Sequence, residues 1–506
     1  MTRARRHLRR ILAGTVAAGI VLASGGCALD GGLGTGGSLS PVDTPASFDR
    51  PLPIPPLAPS TVVDGVRVFS LTAQEGTAEF RPGVSTPTWG FDGDVLGPTL
   101  RATRGERVAV EVTNSLEEAT TVHWHGMHLP PAMDGGPHQM VEPGDTWRPT
   151  WEIDQPAATL WYHPHPHGRT EEHVYRGLSG MFLLDDPAPS GLPDRYGVDD
   201  VPVIVQDKRL DEDGRLDLDS HGNEVGLLGS TVVTNGVNGA VHDVTTELVR
   251  LRLLNGSTAR TYDFAFDDDR AFAHVGTDGG LLPEPYETDH VQLSPGERAE
   301  IVVAVAAGSE AMLVSRAPDL GAVAAPFAYG GLDAFPVLRL RAAAQLTPSA
   351  PVPAAFPTRP ADVVLADEAT VSRTFVIEDR SVNGRRMDMD RIDEVVRVGD
   401  TEIWEVTSRN LFPHNWHVHD VQFQVLDVDG EPPGPELAGR KDTVYLEPRR
   451  TYRLLMRFED FADPDTPYMA HCHLLLHEDE GLMTQFVVVE PGDDDLVELE
   501  GADHDH

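Results

Sequence analysis

Hydrophobic and polar residues alternate in three stretches of the chain, each closing on or just past an asparagine: GERVAVEVTNS at 105–115, TELVRLRLLNGS at 246–257 and TEIWEVTSRN at 401–410. Period-two alternation marks a strand with one face in a core, as Val108, Val110 and Val112 illustrate. A proline turn followed by another apolar strand also recurs: VEPGDTWRPTWEI from Val141, LSPGERAEIVVAV from Leu293 and LEPRRTYRLLMRF from Leu446. Pro143, Pro295 and Pro448 lie 152 and 153 residues apart, so the two patterns stay in phase. The chain is therefore read as all-β, built from three copies of one Greek-key β-sandwich of ~150 residues, each burying its own core. The expected boundaries are 61–190, 191–350 and 351–492. Glycine (48) and proline (41), scattered between short apolar runs, agree with a turn-rich β protein.

The ends read differently. Residues 1–27 join a basic head, an apolar stretch from Ile11 to Ala23 and small residues before Cys27, the pattern of a signal peptide whose apolar part is too short to span a bilayer. Arg5-Arg6 and Arg9-Arg10 resemble a loose twin-arginine signal. Cys27 offers a site for a lipid anchor, although Ser24 stands where such sites carry an aliphatic residue, so anchored and freely secreted forms are both expected alternatives. Residues 28–60, rich in Gly, Ser and Pro, read as a flexible tether, and 493–506 as an acidic tail ending in His504 and His506. With 40 Lys and Arg against 80 Asp and Glu, the formal charge of −40 repels nucleic acid and anionic lipid and attracts cations. Outside the cell, where free thiols oxidise, Cys472 is the one other cysteine, so it is expected to be used.

Histidines cluster only in the first and third units. Unit 1 carries HWHG at 123–126 and WYHPHPHG at 161–168; unit 3 carries FPHNWHVHD at 412–420 and HCHLLLH at 471–477. Unit 2 has STARTYDFAF and AHVGTDGG at the comparable places, with a lone His274 read as structural, so it is expected to be a spacer. Residues i and i+2 of a strand project from one face ~7 Å apart. The pairs His123/His125, His163/His165, His417/His419 and His471/His473 thus present eight imidazoles, enough for a three-metal cluster shared between units 1 and 3. The same alternation sends Cys472 to the opposite side, toward a separate metal with His414 and His477. A thiolate with two imidazoles suits a copper electron-transfer centre, whereas zinc would have no redox reason to be wired to a second cluster. Pro164 stands in unit 1 where Cys472 stands in unit 3, so unit 1 lacks the sulfur site. His128, His138, His167 and His173 fall outside the paired pattern and are expected to support the site or lie on the surface.

From about Ser60 to Pro491 these motifs resemble the multicopper oxidases, in particular bacterial three-domain laccases, copper-efflux oxidases and the bilirubin-oxidase-like group; VNGRRMDMDRID from Val382 also fits. The resemblance implies cupredoxin-like domains, commonly in a monomer, and four coppers. It assigns His414, Cys472 and His477 to a type 1 copper, His123 and His417 to a type 2 copper, and His125, His163, His165, His419, His471 and His473 to a type 3 pair. The implied chemistry is one-electron oxidation of a small-molecule reductant, with O2 reduced to water and electrons leaving through Cys472 into His471 and His473. Asp134 in PPAMDGG and Glu478 beside His477 match acidic residues that the family uses to move protons. Leu482 is a departure: many bacterial relatives place an axial methionine there, so a non-coordinating leucine predicts a high-potential type 1 centre, with Met483 displaced to the other strand face unless a bulge intervenes. The chain has eleven methionines in all, with none between Ala350 and Arg380. It therefore lacks the methionine-rich insertion of the copper-efflux branch, which favours a laccase-like oxidase of phenols and aromatic amines. A cuprous or manganese oxidase is the alternative, in which Met387 and Met389 would form a small copper site.

Overall fold

The computed structural model describes residues 42–357 and 364–497. The expected signal segment, Cys27 and most of the acidic tail lie outside them. Among the described residues no helix is long and apolar enough to cross a membrane.

The repeated patterns prove to be neighbours in space. In each unit the alternating strand pairs in parallel on one side and antiparallel on the other, and its antiparallel partner includes the strand after the proline turn. Arg107–Asn114 lies between Val66–Arg81 and Thr150–Glu152. Leu248–Asn255 lies between Asp200–Lys208 and Arg298–Ala304, and Thr401–Ser408 between Val371–Glu378 and Thr451–Arg457. A second sheet faces each of these, giving three β-sandwiches, each with a core drawn from both inner faces. The proline turn needs a left-handed residue directly after the proline: Gly144 (φ 86°), Gly296 (φ 88°) and, in the third unit, Arg449 (φ 66°).

The terminal asparagine has a local reason as well. Asn114 Nδ2 donates to the Val141 carbonyl and Asn255 Nδ2 to the Leu293 carbonyl, in each case tying the strand end to the start of the proline turn. Asn410 instead pairs with the Asp379 backbone, and its side-chain amide lies 2.8 Å from His414 Nε2.

The tether expected at 28–60 is corrected for residues 42–60. Arg50–Pro51 forms an edge strand parallel to Ala240–Val241 of the middle sandwich, and Leu52 N–H donates to the Val241 carbonyl at 2.8 Å. Pro55 and Pro56 then accept bonds from Tyr196 Oη and Thr99 N in crossing to the first sandwich. A proline-rich chain is already extended, so it docks on a sheet edge through its carbonyls, and composition alone does not separate this from a free linker. Phe48 and Leu52 are buried in the process. Leu52→Ala is expected to lower stability by ~2–4 kcal/mol in chemical denaturation; a true tether would leave the unfolding midpoint unchanged.

Candidate metal centres

Strand His414–Val418 explains how two sites share one sequence run. Trp416 and Val418 point into the third core, while Asn415, His417 and His419 alternate to the opposite face, toward the other sandwiches. The spacing of three between His414 and His417 therefore puts them on opposite faces, a signal present in the sequence beside the His-x-His spacing. Several of the other histidines sit at or just past strand ends. Thr159–Tyr162 stops before His163, and Asp463–His471 stops before Cys472. Within unit 1 His123 and His163 exchange both backbone hydrogen bonds, and within unit 3 His417 pairs with His471 in register. The two halves are thus built alike and then meet: His123 stacks on His419 with ring centroids 3.9 Å apart, and His125 on His417 at 3.8 Å.

All eight rings are buried, and their nitrogens converge. Nε2 of His471 lies 3.2 Å from Nε2 of both His165 and His419, and His163 Nε2 lies 3.3 Å from His473 Nε2. Most of their outer nitrogens are committed elsewhere, while Nδ1 of His165 and of His473 are buried without a hydrogen-bond partner. Nδ1 of His123, His163 and His417 donates to the carbonyls of Asp134, Pro164 and Asp442, and His419 Nδ1 to the Asp134 carboxylate at 2.7 Å. His125 is turned over: Nε2 donates to Asp442 Oδ1 at 2.9 Å, leaving Nδ1 without a partner. His123 Nε2 and His417 Nε2 are also buried without a hydrogen-bond partner. Burial first, and then the neighbouring imidazoles, hold His165, His417, His419 and His473 well below the usual histidine range, so the rings are neutral. Neutral imidazoles with fixed outer protons and inward lone pairs are what metal cations require.

The second group is His414 Nδ1, Cys472 Sγ and His477 Nδ1. The sulfur lies 3.5 and 3.3 Å from the two nitrogens, which are 3.1 Å from each other. A point equidistant from all three is ~2 Å from each, the length of a metal–imidazole bond. Burial pushes the Cys472 thiol up to about 12, while burial and then the Arg380 charge bring His414 down to about 3. Leu482 lies in the same buried cluster as Cys472, and its backbone bonds both Cys472 and His477. Met483 is outside that cluster and pairs with His471 across the sheet.

Two acids adjoin the cluster. Asp134 follows the short turn Pro131–Met133, and Gly135 (φ 80°) brings its backbone so close to Val122 that a Cβ would sit 1.8 Å from that carbonyl. Only glycine fits, and the contact holds Asp134 against His123 and His419. Glu478 lies 3.3 Å from Nδ1 of both His165 and His471, with neither oxygen hydrogen-bonded; burial and then Asp479 raise its carboxyl well above the usual range.

The middle sandwich is more than the expected spacer. Its Gly296 abuts the cluster, where a Cβ would meet His473 Cγ at 3.1 Å and His125 Cε1 at 3.2 Å. Arg298 forks onto Asp442 at 2.7 and 2.6 Å, behind His125. Asn415 donates to the Pro295 carbonyl, and His477 Nε2 donates to the Glu224 carbonyl at 2.8 Å. Asp442, Arg298 and Glu224 carry no sequence signature, because each acts through a contact made by distant parts of the chain. His274 is satisfied by Tyr286 and a carbonyl, as expected of a structural residue. His128 is paired with Asp420 and Asp460, His138 with Gln485, and His173 with Glu118, while His167 is exposed.

Two multicopper oxidase family profiles match residues 72–189 and 355–492. Multicopper oxidase mco of Staphylococcus haemolyticus is 33% identical over 435 residues, covering 84% of this chain and 89% of the relative. Cell division protein FtsP of Escherichia coli K12 is 34% identical over 450 residues, covering 88% and 93%. Among solved structures, a laccase from Pediococcus acidilactici superposes with a TM-score of 0.81 at 33% identity, over 90% of this chain and 96% of that one. With its three cupredoxin-like sandwiches and its two buried donor groups, the chain belongs to the multicopper oxidases, copper-binding oxidoreductases that act on small molecules and O2.

Proposed function

We propose that this protein is a laccase-like multicopper oxidase that takes electrons one at a time from phenols or aromatic amines and delivers four to O2. The observation that carries the reading is the tripeptide 471–473: Cys472 belongs to one donor group, while His471 and His473 reach the other from either side. In this reading His414, Cys472 and His477 hold a type 1 copper, and His123 and His417 a type 2 copper. His125, His163, His165, His419, His471 and His473 hold the type 3 pair. When bound, the four coppers supply one-electron acceptance at the first site and reduction of O2 to water at the cluster.

The chain's own groups do the rest. The outer hydrogen bonds of the imidazoles fix ring orientation and tautomer before metal enters. Glu478, raised well above the usual carboxyl range by burial and then Asp479, holds a proton between His165 and His471 and is the better placed donor. Asp134 orients His419 with one oxygen, and its other oxygen, buried and without a hydrogen bond, is available for proton transfer. The outer edge of the first site is His477 Nε2, which is buried and donates to the Glu224 carbonyl. Electron entry is therefore through the protein surface and suits an outer-sphere organic donor. Export and monomeric action on small-molecule donors belong to the same reading.

A copper-loaded sample is expected to consume one O2 per four phenol equivalents, with slower rates on Cu(I) and Mn(II). A Cu(I) rate far above the phenol rate selects the metal-oxidase alternative, and no O2 uptake with any donor selects a role without turnover. Leu482→Met is expected to lower the type 1 reduction potential by adding a thioether donor; an unchanged or raised potential in a redox titration rules out Leu482 as a side chain that would adjoin the metal.

A further inference from the structure

Arg380 occupies a position that the copper ligands alone do not explain. It follows strand Val371–Glu378 and leans over the first site, where its guanidinium lies 5.1 Å above the Phe412 ring. Phe412 in turn packs on both donor rings, 4.9 Å from His414 and 5.7 Å from His477. Arg380 Nη2 donates at 2.6 Å to the Glu224 carbonyl, the same oxygen that receives His477 Nε2–H at 2.8 Å. Its Nε pairs with Glu480 on the outside. The pair is asymmetric: the Arg380 side chain is 13% exposed and that of Glu480 45%. The positive end faces the buried site and the negative end is screened by water.

The Glu224 segment is itself firmly seated. Val225 and Leu228 of the middle sandwich are buried in the same core as Cys472, and Asn223 donates to the Ala328 carbonyl. Arg380 is thus the cross-piece between a strap from the middle sandwich and the short helix Leu475–Asp479 that carries His477.

We propose that Arg380 is a positioning residue that raises the reduction potential of the type 1 site and pins the Glu224 carbonyl over the His477 edge through which electrons enter. The proposal rests on the assignment of His414, Cys472 and His477 to a type 1 copper. Reduction adds one negative charge to the site, so a fixed cation nearby favours the reduced form. The two ring steps bound the distance from the guanidinium to the His414 ring at about 10 Å. At an effective dielectric of ~20, a unit charge at that range biases the reduced-to-oxidised ratio by about tenfold. Lysine would keep the charge but not the planar fork that holds Phe412, Glu480 and the carbonyl together.

The test compares Arg380→Met, Arg380→Lys and Glu480→Gln in copper-loaded full-length protein, by redox titration of the type 1 absorption and by its electron paramagnetic resonance. Arg380→Met is expected to lower the potential by about a tenfold change in the ratio, ~59 mV for one electron, with the resting spectrum of the cysteine-ligated centre retained. Glu480→Gln, which leaves the inner charge unbalanced, is expected to raise it, and Arg380→Lys to restore most of the potential while remaining slower in electron uptake than the wild type. A potential that is unchanged or raised in Arg380→Met, or that moves the same way in Arg380→Met and Glu480→Gln, overturns the proposal. Absence of the type 1 spectrum from the wild type would instead remove the ligand assignment on which it stands.

Discussion

The structure depends on one electrostatic requirement: eight imidazoles with nitrogens directed at one another must be held together in a buried interior. Without a cation such an arrangement is repulsive and leaves buried acceptors unsatisfied, a cost that proteins normally avoid. Here it is held by the surrounding scaffold. Each sandwich fixes its own histidines through backbone pairing, His123 with His163 and His417 with His471, and docking then brings the two finished halves into register. The outer nitrogens are anchored mainly to main-chain carbonyls and to two aspartates, so the inner lone pairs have no alternative direction.

The same logic separates the two sites. In extended chain, one residue is enough to change faces, and at 471–473 this places sulfur on one side of the backbone and imidazole on the other. Proximity of the two sites is therefore a property of covalent geometry and does not depend on tight packing between domains.

Much of this was legible in the sequence. The alternating strands and phased prolines reveal three sandwiches, because period-two patterning and positive-φ turns leave residue-level marks. The His-x-His pairs reveal shared faces for the same reason. What was not legible involves groups without such marks. The Glu224 contact with His477 is a main-chain carbonyl, which any residue could supply. Arg298 and Asp442 are a buried ion pair between units, indistinguishable in sequence from surface charges. Residues 42–60 have the composition of a linker and the contacts of an edge strand. The middle unit lacks histidine pairs and so reads as a spacer, although its Gly296 and its 223–228 segment close over both sites.

Because Val225 and Leu228 belong to the core around Cys472, the second and third sandwiches are not separable beads on a chain. The cluster in turn spans the first and third. The three units therefore form a closed circuit of mutual support, in which loosening any one exposes donors held by the others. Assembly has a corresponding order: the histidine halves can only present a finished cage after all three sandwiches have docked, so the polypeptide must reach its folded arrangement before it can retain a full complement of metal.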